Sequence, residues 1–393
     1  MSTDTLTREG TASRAGTRAA DVLDAVRALA PAIAARSDEI EEGRRLPPDL
    51  VADLRAAGCF RMLVPRRRGG VQAELAEHLQ MVRELARADG SVGWTVMIGA
   101  TAPVISALLP RATVDAVYAD GPDMIGAGSF NPLGVAVPVD GGYRATGRWT
   151  FASGCQHADW FIAHCMVGDG RVPPLRMMVV PAADVEIIDT WRVSGLCGTG
   201  SHDFALDDVF VADDHTLSLF DPTPEDAPLG PVPELTFSSL AIANVALGIA
   251  EGALAEVTTL ATAKVPMFAD TALAANPLFR YRLGEASAHL RAAVALVDSE
   301  TAAVSATAHA GVEPDPELRA RVRSAATWAT GAAAEVVEAA YTAGGGSALY
   351  LTSPLQRRLR DVRAVTQHFA VKPDTLTLAG AVLAGQEADL TFL

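Results

Sequence analysis

Two periods of hydrophobic recurrence divide this chain into three stretches. In the first, apolar residues return every three or four positions: Val22, Val26, Leu29 and Ile33, then Leu50, Val51 and Leu54, then Leu75, Leu79, Val82 and Leu85. A stripe of that spacing lets a helix bury one face. Pro47-Pro48 opens the second of these helices and Gly58 stops it, as proline suits a first helical turn and glycine a last one. The third is expected to end near Asp89-Gly90, with Ser91 capping a fourth over residues 93–109 that is apolar nearly all round and therefore belongs in a core. Residues 1–18 lack large apolar groups and read as a mobile tail; residues 19–122 read as an all-helical unit.

Between residues 123 and 220 the period drops to two, with frequent Gly, Pro and Asp. Segments 143–147, 160–167, 176–180 and 185–189 read as strands parted by turn chemistry such as Asp140-Gly141-Gly142, which predicts a small antiparallel sheet or barrel. Residues 221–232, rich in proline, form the clearest linker. Beyond it the helical period returns in four long segments, 238–261, 278–308, 317–343 and 354–383, with Gly248 and Gly252 one turn apart where a neighbouring helix can come close. The expected fold is mainly α with a central β domain, closed by a C-terminal four-helix bundle over residues 233–393.

At 393 residues the chain has room for two or three packed units and a large core. Apolar residues are 49% of it, yet the longest apolar runs are interrupted, and none reads as the ~20 strongly apolar residues of a membrane span. Its start lacks the basic-then-apolar order of a secretion signal, so a cytoplasmic location with no membrane partner is expected. The formal charge of −15 disfavours nucleic acid and anionic membrane surfaces. Cys59, Cys155, Cys165 and Cys197 are widely separated, which signals neither a zinc site nor a disulfide framework.

The candidate chemistry gathers in residues 143–211. The segment Gly147-Arg-Trp-Thr-Phe-Ala-Ser-Gly154 is a strand that stops at a Ser-Gly pair, putting a hydroxyl beside bare backbone where a flat ligand can lie close. Trp191-Arg-Val-Ser-Gly-Leu-Cys-Gly-Thr-Gly-Ser201 is a glycine-rich loop carrying Thr199 and Ser201, suited to a polar cofactor edge or to an ordinary sheet corner. Gly344-Gly345-Gly346-Ser347 either offers amides to a phosphate or ends a helix. His368, on the expected last bundle helix, and His157, three residues past Gly154, are the candidate acid–base groups. His78, His289 and His309 read as helix surface, and Arg357, Arg358, Arg360 and Asp361 as surface or intersubunit pairs. There is no GxSxG elbow, HExxH pair or nucleotide fingerprint at a strand-to-helix turn, so reactivity has to come from a bound cofactor.

Several of these motifs, with others, resemble a known family. Asp89-Gly-Ser-Val-Gly-Trp94, the 147–154 segment followed by Ala158-Asp-Trp160, Gly198-Thr-Gly-Ser201 with Asp208-Val-Phe-Val211, and Arg360-Asp-Val-Arg-Ala-Val-Thr-Gln-His368 are similar in order and spacing to the acyl-CoA dehydrogenase fold. Within that fold they resemble the monooxygenases that use reduced flavin from a separate NAD(P)H:flavin reductase. The resemblance implies reduced FMN or FAD as cofactor, O2 as co-substrate, a flavin C4a-hydroperoxide as oxidant, a homotetramer, and an aromatic, polyketide-like or amine substrate. By the same resemblance Ser153 and His368 are the catalytic pair, and Trp149, Phe151, Ser153, Thr199, Ser201, Lys264, Arg280, Gly345 and Gly346 hold the flavin. Trp94, Thr101, Ser129, Asn131, His157 and Phe369 face the substrate. Two departures stand out. Phe369 occupies the place of the base carboxylate of common dehydrogenases, and Thr101 lies in the stretch where phenol hydroxylases of the family often have a histidine. An acyl-CoA dehydrogenase with bound FAD, or a member that has lost redox chemistry, are the alternatives.

Overall fold

The structure is a computed structural model that describes residues 17–168, 174–219, 221, 224 and 227–386. The expected tail, apart from residues 17 and 18, and much of the expected linker lie outside the described residues. Seven helices come first: α1 (Ala19–Ala35), α2 (Ser37–Gly43), α3 (Pro48–Ala57), α4 (Leu75–Ala88), α5 (Gly90–Gly99), α6 (Ala102–Ser106) and α7 (Arg111–Val117). The stripe of Val22, Leu23, Val26 and Ile33 on α1 is buried, and α3 ends on Gly58 at φ 88°, a conformation that favours glycine. The expected fourth helix is broken in two. Its cap is Asp89 rather than Ser91: the Asp89 carboxylate accepts the backbone N–H groups of Ser91 at 2.9 Å and Val92 at 3.1 Å. The chain then turns between Gly99 and Ala102, with Pro103 in the first turn of α6, where a missing N–H does no harm.

The central sheet has strands β1 (Gly126–Val139), β2 (Gly142–Ala152), β3 (Trp160–Val167), β4 (Leu175–Pro181), β5 (Glu186–Ile188), β6 (His202–Ala212) and β7 (Thr216–Leu217), in the order β5-β6-β2-β1-β3-β4-β7. It is not wholly antiparallel, because β1 and β3 pair in parallel. The periodicity left out β1 altogether: Pro132 and a register shift between Ser129 and Gly134 interrupt its alternation.

The last third holds α8 (Glu234–Ala263), α9 (Pro277–His309), α10 (Pro316–Gly344), α11 (Pro354–Val365) and α12 (Thr375–Leu383). Helix α8 is long and apolar enough to cross a membrane by composition, contrary to the sequence reading; most of that apolar surface is buried among its neighbours, which is what a central core helix requires. Its glycines do admit α4: a β-carbon on Gly248 would lie 2.3 Å from the Arg83 carbonyl oxygen, and one on Gly252 2.6 Å from that of Arg87. The expected final helix is two, separated by a short 3-10 turn (Phe369–Val371) and Pro373, since the residue before a proline is driven out of the α region. Helices α1 to α5 and the bundle share one apolar core, the sheet has its own around Trp149, Phe161 and Phe204, and α6 and α7 pack in a third with Met177 and Val179 of β4.

Candidate active site

The end of β2, the glycine-rich loop before β6, helix α5 and the turn after α11 meet in one place. Ser153, Thr199, Ser201 and the Trp94 indole are all buried there. Trp94 Nε1 donates to Ser153 Oγ at 3.0 Å; Ser153 Oγ and Ser201 Oγ are 2.7 Å apart, as are Ser201 Oγ and Thr199 Oγ1; Thr199 Oγ1 donates to the Leu196 carbonyl at 2.8 Å. The same Trp94 ring lies 5.5 Å from His368, edge to face. One indole therefore ties the two expected catalytic residues together, from elements far apart in sequence.

The loop is held by α11. Asp361 Oδ1 accepts the Leu196 N–H at 2.6 Å, and Arg360 donates to the Ser194 carbonyl at 2.6 Å. Gly195 is obligatory for this approach, because a β-carbon there would sit 2.1 Å from the Arg360 carbonyl oxygen. Asp361 is fully buried and close to Asp89, which raises its carboxyl to about 7, burial being the larger cause. Arg357 and Arg360 pair with Glu41 inside the protomer, and Arg358 lies buried against α8. The charge cluster read as mostly surface or intersubunit pairs is thus an internal clamp.

His368 stands in the turn between α11 and α12 rather than on a helix. Its Nδ1 accepts the Ala370 N–H at 3.3 Å, which leaves the hydrogen of the neutral ring on Nε2. Burial, with Arg323 and Lys372 nearby, lowers its pKa to about 4. His368 is a neutral imidazole at pH 7, able to donate from Nε2 and a poor base. Phe369 packs beside it at 4.8 Å and is half exposed.

Other expected site residues scatter. Trp149 is not a wall of the site: it is fully buried in the sheet's own core, stacked on Phe204 at 5.0 Å, with Nε1 on the His164 carbonyl. Strict alternation would put Phe151 on the same face. A register shift between Trp149 and Ala152, with Phe151 at φ 66°, instead turns its ring out to solvent, edge-on to Trp191 at 6.1 Å. Lys264 and the glycine run do come together, Lys264 Nζ donating to the Gly344 carbonyl at 2.6 Å with the open backbone of Gly345 and Gly346 alongside. Arg280 is exposed and binds the Ala274 carbonyl, Asn131 is exposed, and Ser129 is buried with its Oγ on the Asn131 N–H. Thr101 is buried, its hydroxyl on the Met97 carbonyl. His157 lies by Arg45, Arg55 and the Leu46 backbone, and burial lowers its pKa to about 4.

Sequence reasoning missed Arg323 on α10 and misplaced His78 on α4. Both are buried; among the described residues, both ring nitrogens of His78 and two guanidinium nitrogens of Arg323 have no hydrogen-bond partner, and Glu234 and Asn244 on α8 each carry an unpartnered oxygen. His78 falls on the same stripe of α4 as Leu75, Leu79 and Val82, so its inward face was legible from the spacing, whereas a lone Arg such as Arg323 is ordinarily assigned to the wet face.

These features fit a flavin. An exposed aromatic ring at Phe151 beside the half-buried Trp191, a buried hydroxyl at Ser153 and a lysine beside the open backbone of Gly346 suit a flat ring system with a phosphorylated tail.

Comparison with known proteins gives the same direction. Residues 18–111 match the family profile for the acyl-CoA dehydrogenase N-terminal domain and residues 240–373 that for the C-terminal domain. The chain is 33% identical over 360 residues to an indole-3-acetate monooxygenase of Pseudomonas putida, covering 90% of this chain and 91% of that protein. It is 32% identical over 370 residues to the oxygenase component of an FADH(2)-dependent resorcinol hydroxylase of a Rhizobium species, covering 89% and 90%. Among solved structures, 3-HSA hydroxylase from Rhodococcus sp. RHA1 superposes with a TM-score of 0.89 at 31% identity, over 95% of this chain and 99% of that one.

Proposed function

This chain belongs to the acyl-CoA dehydrogenase family, in its branch of flavin-dependent monooxygenase oxygenase components, and from that premise we propose a division of labour among its site residues. It is an oxidoreductase that uses reduced flavin, supplied by a separate reductase, and O2 on a small aromatic molecule. When bound, the reduced flavin supplies the electrons that activate O2 and place one of its atoms on the substrate.

The reading rests on Trp94, which touches Ser153 through its N–H and His368 through its ring. Ser153 would face the flavin ring with its hydroxyl toward N5, as the family resemblance implies, and Phe151 and Trp191 would lie along the edge of the ring. Lys264 by charge and Gly346 by its open backbone would take the flavin phosphate, the Gly345 N–H being held by the Thr342 carbonyl. His368, neutral and bearing its hydrogen on Nε2, donates a hydrogen bond to the oxygen being transferred or to a substrate hydroxyl. Helix α5, apolar around Trp94, keeps water from the reacting atoms. Phe369 in place of a carboxylate leaves no base for an acyl-CoA α-proton, which favours oxygenation over dehydrogenation.

A homotetramer in the cytoplasm completes this reading. Exposed Val265, Met267 and Phe268 follow Lys264 in the chain, and exposed Leu349, Tyr350 and Leu351 follow Gly344–Gly346; these are the apolar side chains that another subunit would cover. The test is direct. Reduced FMN or FAD should raise the melting temperature under anaerobic conditions, and His368→Ala should lower the product formed per flavin oxidised about 10²-fold or more, with hydrogen peroxide released instead. Unchanged coupling in His368→Ala removes that residue from the reaction.

A further inference from the structure

The four polar contacts running from Trp94 to Leu196 have a fixed direction. An indole N–H can only donate and a carbonyl oxygen can only accept, so both ends of the chain are set. Between them lie three hydroxyls, each with one hydrogen. Four contacts, Trp94 to Ser153, Ser153 to Ser201, Ser201 to Thr199 and Thr199 to Leu196, therefore meet four hydrogens. Only one arrangement fills them all: each hydroxyl donates toward Leu196 and accepts from the Trp94 side. The Ser153 hydrogen is committed to Ser201, and what Ser153 has left to offer a ligand is a lone pair. Turning that hydrogen outward leaves one pair of oxygens, 2.7 or 2.8 Å apart, facing each other with no hydrogen between them.

We propose that Ser201 and Thr199 are positioning residues that make this site selective for the redox state of the flavin, by holding Ser153 as an acceptor. The inference rests on the reading above that Ser153 faces the flavin ring at N5. N5 of a reduced flavin carries a hydrogen and donates; N5 of an oxidised flavin is a bare acceptor. A Ser153 that can only accept pairs with the first and opposes the second. Selectivity of this origin keeps oxidised flavin from blocking a site that depends on reduced flavin arriving from another protein, and it requires no movement of the backbone.

The measurement is the ratio of dissociation constants for oxidised and reduced flavin, by anaerobic equilibrium dialysis with FMN and FAD, each with and without dithionite. The unmodified protein should favour the reduced form by about tenfold to a hundredfold, the size of one buried hydrogen bond made or opposed. By linkage the two-electron potential of the bound flavin then rises by about 30 mV per tenfold. Ser201→Ala removes the acceptor of the Ser153 hydrogen and should bring the ratio close to one, chiefly by tightening oxidised flavin. Thr199→Val, which lets Ser201 reverse, should do the same, and Thr199→Ser should restore the ratio. Trp94→Phe cuts the chain at its donor end and leaves the Ser153 hydrogen committed, so it should change affinity without collapsing the ratio. An unchanged ratio in Ser201→Ala and Thr199→Val overturns the proposal, as does a collapse in Trp94→Phe alone. Ser153→Ala separates the two levels. If it alters neither affinity, Ser153 does not face the flavin at all; if it weakens reduced flavin while the Ser201 and Thr199 variants keep the ratio, only the orientation argument fails.

Discussion

Two buried polar clusters lie in this protein, and they are built on opposite terms. At the seam between sheet and α5, every hydrogen from Trp94 to Leu196 has a partner, and Asp361 fixes the loop that carries the hydroxyls. Between α4, α8 and α10, His78, Arg323 and Asn244 are buried and Glu234 partly so, each with nitrogens or oxygens that meet no partner among the described residues. The first cluster has one low-energy arrangement and so defines positions. The second carries a desolvation cost that its hydrogen bonds offset only in part: burial raises the Glu234 carboxyl to about 7, as it does that of Asp361, lowers His78 to about 4 and lowers Arg323 from its ordinary value, the attraction between Glu234 and Arg323 opposing the shift in both. Satisfied polar groups give precision, whereas unsatisfied ones set charge states, here that of His368, which Arg323 helps keep neutral.

The sharpest way to break this contrast is at Asp361. Replacing it with Leu orphans the Leu196 N–H and frees the loop, and should cost about 3 kcal/mol in chemical denaturation while abolishing flavin binding. Stability retained to within about 1 kcal/mol would mean that the loop is held some other way. Arg323→Met should act in the opposite sense. Two of the Arg323 guanidinium nitrogens are buried without a hydrogen bond and Glu234 beside it can stay protonated. Removing the cation is therefore expected to be neutral or to stabilise by about 1–2 kcal/mol, and the His368 pKa, followed by NMR of the ring, should move up from about 4 toward its ordinary value. A large destabilisation would show that the attraction between Arg323 and Glu234 outweighs the cost of burying them, and the two clusters would then be alike.

The elements were legible in the sequence because most of them have one wet face. The stripes of α1, α3 and α4 and the alternation of β3 and β4 announced themselves. Signals failed where an element is buried all round or interrupted: α5 and α6 ran together, β1 was lost at its irregularity, and α11 and α12 were fused across the turn that carries His368. Within the site, Ser153 and Ser201 were found through neighbouring glycines, a backbone signal that survives in one dimension. The inward turn of Trp149 and the outward turn of Phe151 were not, since a single positive φ reversed the expected face. The Asp361 anchor was read as a surface charge because a tertiary contact spanning 165 residues leaves no local pattern.

The smallest expected effect bears on the unsatisfied cluster directly. His78 faces Phe237 at 5.7 Å, and neither ring nitrogen has a partner. Its native state therefore resists protonation, with the pKa lowered from 6.5 to about 4. For a group lowered in this way, the folded state binds fewer protons than the unfolded state, so stability from the neutral ring is present above pH 6.5 and is lost as pH falls toward 4. His368 and His157 carry the same sign, whereas Asp361 and Glu234, both raised, favour the folded state at low pH and lose that contribution as pH climbs through about 7. The acid limb between pH 6.5 and 4 thus reports a contest between buried histidines and buried carboxyls. His78→Leu withdraws one histidine. It should leave stability at pH 7.5 unchanged or raised by up to about 1 kcal/mol, because an apolar side chain replaces a polar ring without hydrogen bonds, and should lift stability at pH 5 by more. Equal shifts at both pH values would mean that His78 is already satisfied by a water or a ligand in solution, and the contrast between the two clusters would rest on Arg323 and its α8 neighbours alone.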